Sequence, residues 1–235
     1  MTWTTQMKRL GFIVELLTVA VSFTACNDDE SEQIPVPETA YVSLYHASPN
    51  ATGLDVLVDG RQINSYSFDY SESTGYLRFY TGERTLKFTP YDANNTVTDT
   101  TVNFEPNNAY SVFAVGEYPN LQTLILEDNS EAPTADHAKI RVVHLSPDAP
   151  DVTVSSSQSS EIAIGAQSYL TASEFQEVAA GTYSLAVDNA QSDSTVLDVE
   201  DLYLSPGIFY TLVIKGYASP PAGNSNHLSA ELLVN

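Results

Sequence analysis

The stretch RVVHLSPDAPDVTV, residues 141–154, opens on apolar residues, breaks at Ser146-Pro147-Asp148 and resumes with Val152, Thr153 and Val154 alternating apolar and polar. Proline presets φ in such a break, and the polar side chains beside it bond back to the chain, so the stretch reads as strand, turn, strand. It is written twice. SLYHASPNATGLDVLV, residues 43–58, sets Tyr45, His46, Ala47, Ser48, Pro49, Asn50 and Ala51 against Val143, His144, Leu145, Ser146, Pro147, Asp148 and Ala149, 98 residues on.

Working outward, the correspondence continues. After a two-residue gap, Leu54, Asp55 and Val56 face Pro150, Asp151 and Val152. Gly82, Leu86 and Phe88 then face Gly181, Leu185 and Val187. Finally Pro106, Tyr110 and Gly116 face Pro206, Tyr210 and Gly216. Blocks kept in one order, with only small drifts in spacing, are the signature of a duplication. The halves run over 39–128 and 138–235, each of ordinary domain size. Between them lies a polar, proline-bearing linker, 129–137. Such a segment predicts two separate cores on a flexible tether.

Within each half the hydrophobic period is two. Leu86 and Phe88, and Leu185 and Val187, alternate with polar residues; Tyr110, Val112 and Ala114 alternate with Ser111 and Phe113. These spacings predict half-buried strands. Asp59-Gly60 is a hairpin signal, because both central positions of that turn favour φ > 0. No window carries a long amphipathic helix. The expectation is an all-β fold, two tandem β-sandwiches of the immunoglobulin or transthyretin kind.

The N-terminus reads as an address. Lys8 and Arg9 precede an apolar run, Leu10 to Val21, and small Thr24 and Ala25 precede Cys26. That is the three-part pattern of a secretory signal, 1–25, with Met7 as an alternative start. The run is too short to span a bilayer. Thr24 and Ala25 before Cys26 resemble a lipobox, which implies lipid attachment at Cys26. Asp28, Asp29 and Glu30 follow at once and are similar to the acidic signal that takes some lipoproteins to the outer face of the outer membrane. Residues 26–38, closing with Pro35 and Pro37, form an extended linker. The expected location is therefore the outer membrane, facing outside, with its periplasmic face as the alternative. Cys26 is the sole cysteine, so no intramolecular disulfide can form.

The motif at 141–154, its copy at 43–58, LSPGIFYTLVIKG at 204–216 and FEPNNAYSVFAVG at 104–116 resemble the domain-of-unknown-function 4397 family. The resemblance implies β-sandwiches, often in tandem, in exported bacterial proteins. It implies no activity and no catalytic residues.

Nine basic against 30 acidic residues give a formal charge of −21, which repels nucleic acid and other polyanions. His46 and His144 recur at one place in both copies and read as turn ligands beside Pro49 and Pro147. Asp55, Asp148 and Asp151 fall short of the six to eight oxygens calcium takes, and no histidine spacing suits a transition metal. No metal or cofactor is implied. Tyr110 and Tyr210, each four residues after a proline, read as corner tyrosines. Thr100 and Ser194 lie in Asp-Thr-Thr and Asp-Ser-Thr triplets that resemble bacterial O-glycosylation sites. Tyr66, Phe68, Tyr70, Tyr76, Phe79 and Tyr80 would suit sugar stacking or a protein interface, with half expected inward.

No nucleophile elbow or phosphate loop occurs. The leading expectation is a lipid-anchored, surface-exposed, non-catalytic binding or adhesion module, whose ligand is a neutral glycan or a protein surface. The alternative is a structural or assembly lipoprotein docking on an envelope complex; a carboxylate-based hydrolase stands third.

Overall fold

A computed structural model describes residues 37–93, 95–156 and 161–235. Cys26 and the acidic run Asp28, Asp29 and Glu30 lie outside the described residues. Residues 37–235 form one compact unit.

The first copy holds β1 (Thr39–His46), β2 (Leu54–Val58), β3 (Arg61–Gln62), β4 (Ser73–Tyr80), β5 (Gly82–Pro90), β6 (Thr98–Phe104), β7 (Ala109–Glu117) and β8 (Asn120–Glu127). The second holds β9 (His137–His144), β10 (Val152–Ser156), β11 (Ala163–Gln167), β12 (Gln176–Ala179), β13 (Gly181–Asn189), β14 (Thr195–Leu204), β15 (Phe209–Lys215) and β16 (Ser229–Val234). No α-helix occurs among the described residues. The fold is all-β and sandwich-like.

Each copy makes the same two four-stranded sheets. In the first the orders are β4-β1-β7-β8 and β3-β2-β5-β6; in the second they are β12-β9-β15-β16 and β11-β10-β13-β14. The first strand of each copy runs parallel to the seventh, β1 beside β7 and β9 beside β15, and the other ladders are antiparallel. Asp59 and Gly60 turn β2 into β3 with φ of 49° and 77°, the geometry that a two-residue hairpin needs.

Alternation sends one side of the longer strands into a core. Ala40, Val42, Leu44, Val56, Leu86, Phe88, Tyr110 and Val112 meet between the sheets of the first copy, and Ile140, Val142, Val154, Leu185, Tyr210 and Leu212 between those of the second. The other side of the central strands departs from the sequence expectation. β7 and β15 are buried on both faces, not half-buried, because their outward positions meet a third cluster: Tyr45, Ala47, Phe113 and Val115 from one copy, and Val143, Leu145 and Val213 from the other. The body is thus four sheets deep, with an apolar layer at each of three interfaces. The linker segment is tied to it, Lys139 Nζ donating to Ser130 Oγ and Glu131 O, and Thr134 Oγ1 to Glu177 Oε1.

The repeat register also needs one correction. β2 and β10 correspond without a gap, Leu54 with Val152 and Val56 with Val154, because Leu54 pairs with Pro90 where Val152 pairs with Asn189. Asp151 is therefore the counterpart of Gly53, not of Asp55: Tyr91 N donates to Gly53 O as Ala190 N does to Asp151 O. The shared Asp-Val dipeptide suggests a different alignment, but backbone pairing decides register.

Candidate functional site

The two histidines close the turns that the Ser-Pro motif opens. His46 Nδ1 accepts from Ser48 N at 3.2 Å, while Nε2 lies 3.4 Å from Thr52 O; His144 Nδ1 accepts from Ser146 N at 3.3 Å, with Nε2 3.0 Å from Pro150 O. A neutral imidazole with the proton on Nε2 offers one acceptor and one donor, which is what each turn uses. Both histidines are fully buried. Burial pushes His46 down to about 4 and lowers His144 as well, against the opposing pull of the carbonyls and nearby carboxylates. Both rings are buried, and each uses its two nitrogens on groups of its own turn.

The remaining motif residues also brace these corners. Asn50 Oδ1 accepts from Tyr118 N, and the Asp148 carboxylate accepts from Ala218 N and Ser219 N, so each Ser-Pro turn grips the loop that follows β7 or β15. Gly116 near the end of β7 and Gly216 just after β15 lead into those loops, with φ of 86° and 83°. A Cβ on Gly216 would fall 2.1 Å from His227 O. The Tyr110 hydroxyl accepts from Glu105 N at 3.1 Å and that of Tyr210 from Ser205 N at 3.0 Å. Asp55 receives Gln62 Nε2 and Asp92 N. Its carboxylate and that of Asp148 are thus spent on local donors, and the structure does not bring Asp55, Asp148 and Asp151 together as one ligand set: among the described residues no cluster of three or more His, Cys, Asp or Glu side chains is placed to hold a metal.

A polar network crosses the joint between the copies. Arg141, 3 % exposed, donates to the Asp128 carboxylate, to Glu127 O at 3.0 Å, to Ser111 Oγ at 3.3 Å and to Thr211 Oγ1 at 2.9 Å, with its guanidinium 4.6 Å from the Phe175 ring. Asp128 also receives Tyr76 Oη and Ser111 Oγ. Lys215, 7 % exposed, donates to Ser71 Oγ and lies 3.3 Å from Glu231, which accepts from Tyr45 Oη at 2.6 Å. Burial, then Glu231, holds the Tyr45 hydroxyl protonated; burial and Glu117 do the same for Tyr217, which donates across the joint to Glu117 at 2.6 Å. Sequence reading missed these residues. Arg141 alone carried a signal, as a charge in the middle of β9 directly before Val142 and Val143.

The network lies at the edge of an open cleft. The cleft beside it, about 410 Å³ and lined in part by Arg141, Phe175, Glu127 and Glu174, has its cation already bonded on every side.

The six aromatics of 66–80 separate cleanly. Phe68 and Phe79 enter the first core, and Tyr70 and Tyr76 line the joint. Tyr80 is exposed at the end of β4. Tyr66, 83 % exposed, stands on the loop between β3 and β4 beside a shallow groove of about 400 Å³. Asn64, Ser65, Ser67, Glu72, Ser73 and Thr74 line that groove with it. Of the triplets, Thr100 is half-buried in β6, whereas Ser194 is exposed with its Oγ 2.9 Å from Ser192 Oγ.

Residues 40–155 match the family described as "Domain of unknown function (DUF4397)". No curated protein matches the chain. Among solved structures it is similar to a carbohydrate-binding module of family 26 from Eubacterium rectale Amy13K, in complex with maltoheptaose. That likeness has 11 % identity and a TM-score of 0.26, covering 79 % of this chain and 100 % of that one. It is also similar to a candidate adhesin from Bacteroides ovatus, at 9 % identity and a TM-score of 0.20, covering 83 % and 93 %. Likenesses this distant carry no ligand over to this chain.

Proposed function

We propose, from the premise that the chain belongs to the DUF4397 family, that it is a lipid-anchored protein of the outer membrane, facing outside, that binds a ligand without transforming it. The observation that carries the reading is Tyr66, a ring left almost wholly in water on a loop that Asn64 and Ser67 fasten on either side of it. A large amphipathic side chain held so is an anchor for a partner, since its contact area comes with little further ordering. The recurring histidines and corner tyrosines, with Asp148, support a non-catalytic role: they are committed to turns and corners.

The anchor and the binding are tested separately. Radiolabelled palmitate should enter the wild type and not Cys26→Ala. Protease should shave the protein from intact cells, and replacing Asp28, Asp29 and Glu30 by alanine should protect it. For binding, residues 37–235, which contain every described strand and all three apolar clusters, are offered to a glycan array and a protein array. Capture on either supports the reading. Silence on both, with stable co-purification in an envelope complex, would assign the chain to assembly instead.

A further inference from the structure

We infer that the groove at Tyr66 is a site for a neutral oligosaccharide, one sugar ring lying flat on the Tyr66 ring; this rests on the binding reading above and names its ligand.

The loop is built to hold one ring still. Asn64 Oδ1 accepts from Val56 N at 2.8 Å, and its Nδ2 donates to Leu54 O and to Tyr66 O at 2.9 and 2.8 Å. Two residues on, Phe68 exchanges both backbone hydrogen bonds with Leu54 and buries its ring in the core. Ser67 Oγ is bonded to Asp69, and Asp69 N to Glu72. Gly53 makes the seat possible, because a Cβ there would fall 1.6 Å from Ser67 Oγ. Nothing in this bracing needs the Tyr66 side chain, which points away from it at 83 % exposure.

The lining selects the ligand. Beside the ring lie Phe68 and the hydroxyl residues Ser65, Ser67, Ser73 and Thr74, with Glu72 the one acidic side chain; Ser67 and Thr74 already donate to Asp69 and Gly75 O, and Ser65 and Ser73 remain to meet a partner rich in hydroxyls. No cation lines the groove, and a chain charged to −21 repels anions, so uronic and sialic acids are disfavoured. A protein hot spot would want clustered anchors with a sealed apolar rim, and serine is depleted there. A sugar presents a face of C–H groups edged by hydroxyls, which a lone amphipathic ring beside serines can meet. The second copy supplies a contrast: the stretch preceding its counterpart of Tyr70, residues 163–167, is the regular strand β11 with alanines and Gly165 and no aromatic.

The test is calorimetric titration of residues 37–235 with neutral hexasaccharides of glucose, mannose and galactose, and with a galacturonate hexasaccharide as the anionic probe. At least one neutral probe should bind with one site per chain. Tyr66→Ala should weaken it about tenfold or more, Tyr66→Phe by less than about threefold, and Tyr203→Ala, 62 % exposed in the second copy, not at all. Melting of the Tyr66 variants should match the wild type, since the ring supports no core. No heat with any neutral probe, or binding indifferent to Tyr66→Ala, overturns the sugar site. Capture of a protein ligand alongside that result would leave the broader binding reading standing, whereas silence on both arrays would remove both.

Discussion

The guanidinium of Arg141 in the second copy is bonded to the carboxylate of Asp128 in the first, and both side chains are almost fully withdrawn from water. Their counterparts across the duplication are Ser43 and Asn235, so the pair is made in one direction only. Removing one partner of a buried pair strands the other's charge. Arg141→Met should therefore lower the stability of residues 37–235 by about 3 to 5 kcal/mol in urea denaturation. The double variant Arg141→Met, Asp128→Leu should recover most of that loss. Additive losses in the double variant would show that the charges are not coupled.

The joint should make the two copies depend on each other. Expressed alone, residues 37–128 would expose Tyr45, Phe113 and Val115, and residues 137–235 would expose Val143, Leu145 and Val213, with Arg141 parted from Asp128 and Lys215 from Ser71. Each half should melt below the intact unit, and an equimolar mixture should form a one-to-one complex by light scattering. Monomeric halves as stable as the whole would show that the third cluster contributes little.

His46 gives stability a pH dependence of known sign. Its folded value is depressed to about 4 from 6.5. Between those values the unfolded chain binds more protons, so stability is full above pH 6.5, declines as pH falls toward 4 and levels below that, by about 3 kcal/mol in all. Protonated Nδ1 would also meet the Ser48 N–H head-on. His46→Asn should flatten this part of the stability profile in urea titrations between pH 4 and 7. An unchanged slope would assign the dependence to other groups.

Each corner tyrosine ties a backbone N–H that has no other hydrogen-bond acceptor among those described. Tyr210→Phe keeps the buried ring and removes the acceptor from Ser205 N, and should cost about 1 to 2 kcal/mol. Tyr110→Phe should cost about as much through Glu105 N. A loss below 0.3 kcal/mol in both, read from urea midpoints, would mean water replaces the hydroxyl.

Much of the architecture was legible because it follows from local rules. Period-two alternation, the Asp59-Gly60 turn and the repeated His-x-Ser-Pro motif each have a short-range cause, and strands, hairpin and duplication follow. What escaped is long-range. That Phe113, Val115, Val143 and Leu145 are covered depends on the sheet of the other copy, so a strand buried twice reads as a strand buried once with apolar residues to spare. The Arg141 network was hidden for the same reason, its partners lying 13 to 70 residues away. Tyr66 could be seen only as one of six aromatics, since what frees it is the burial of Phe68 two positions later.

Tyr66 has no aromatic counterpart in residues 163–167, so the sugar site proposed here is not repeated in the second copy despite the duplicated build. Duplication then multiplies scaffold, not grip. Two sites on one chain would raise attachment through effective concentration, and among the described residues the second copy does not repeat the Tyr66 groove. On the proposed reading, firm attachment to a polymer would come from many molecules side by side, each free to release. The strength of such a hold would be set by how densely the protein is planted on the membrane proposed to carry it.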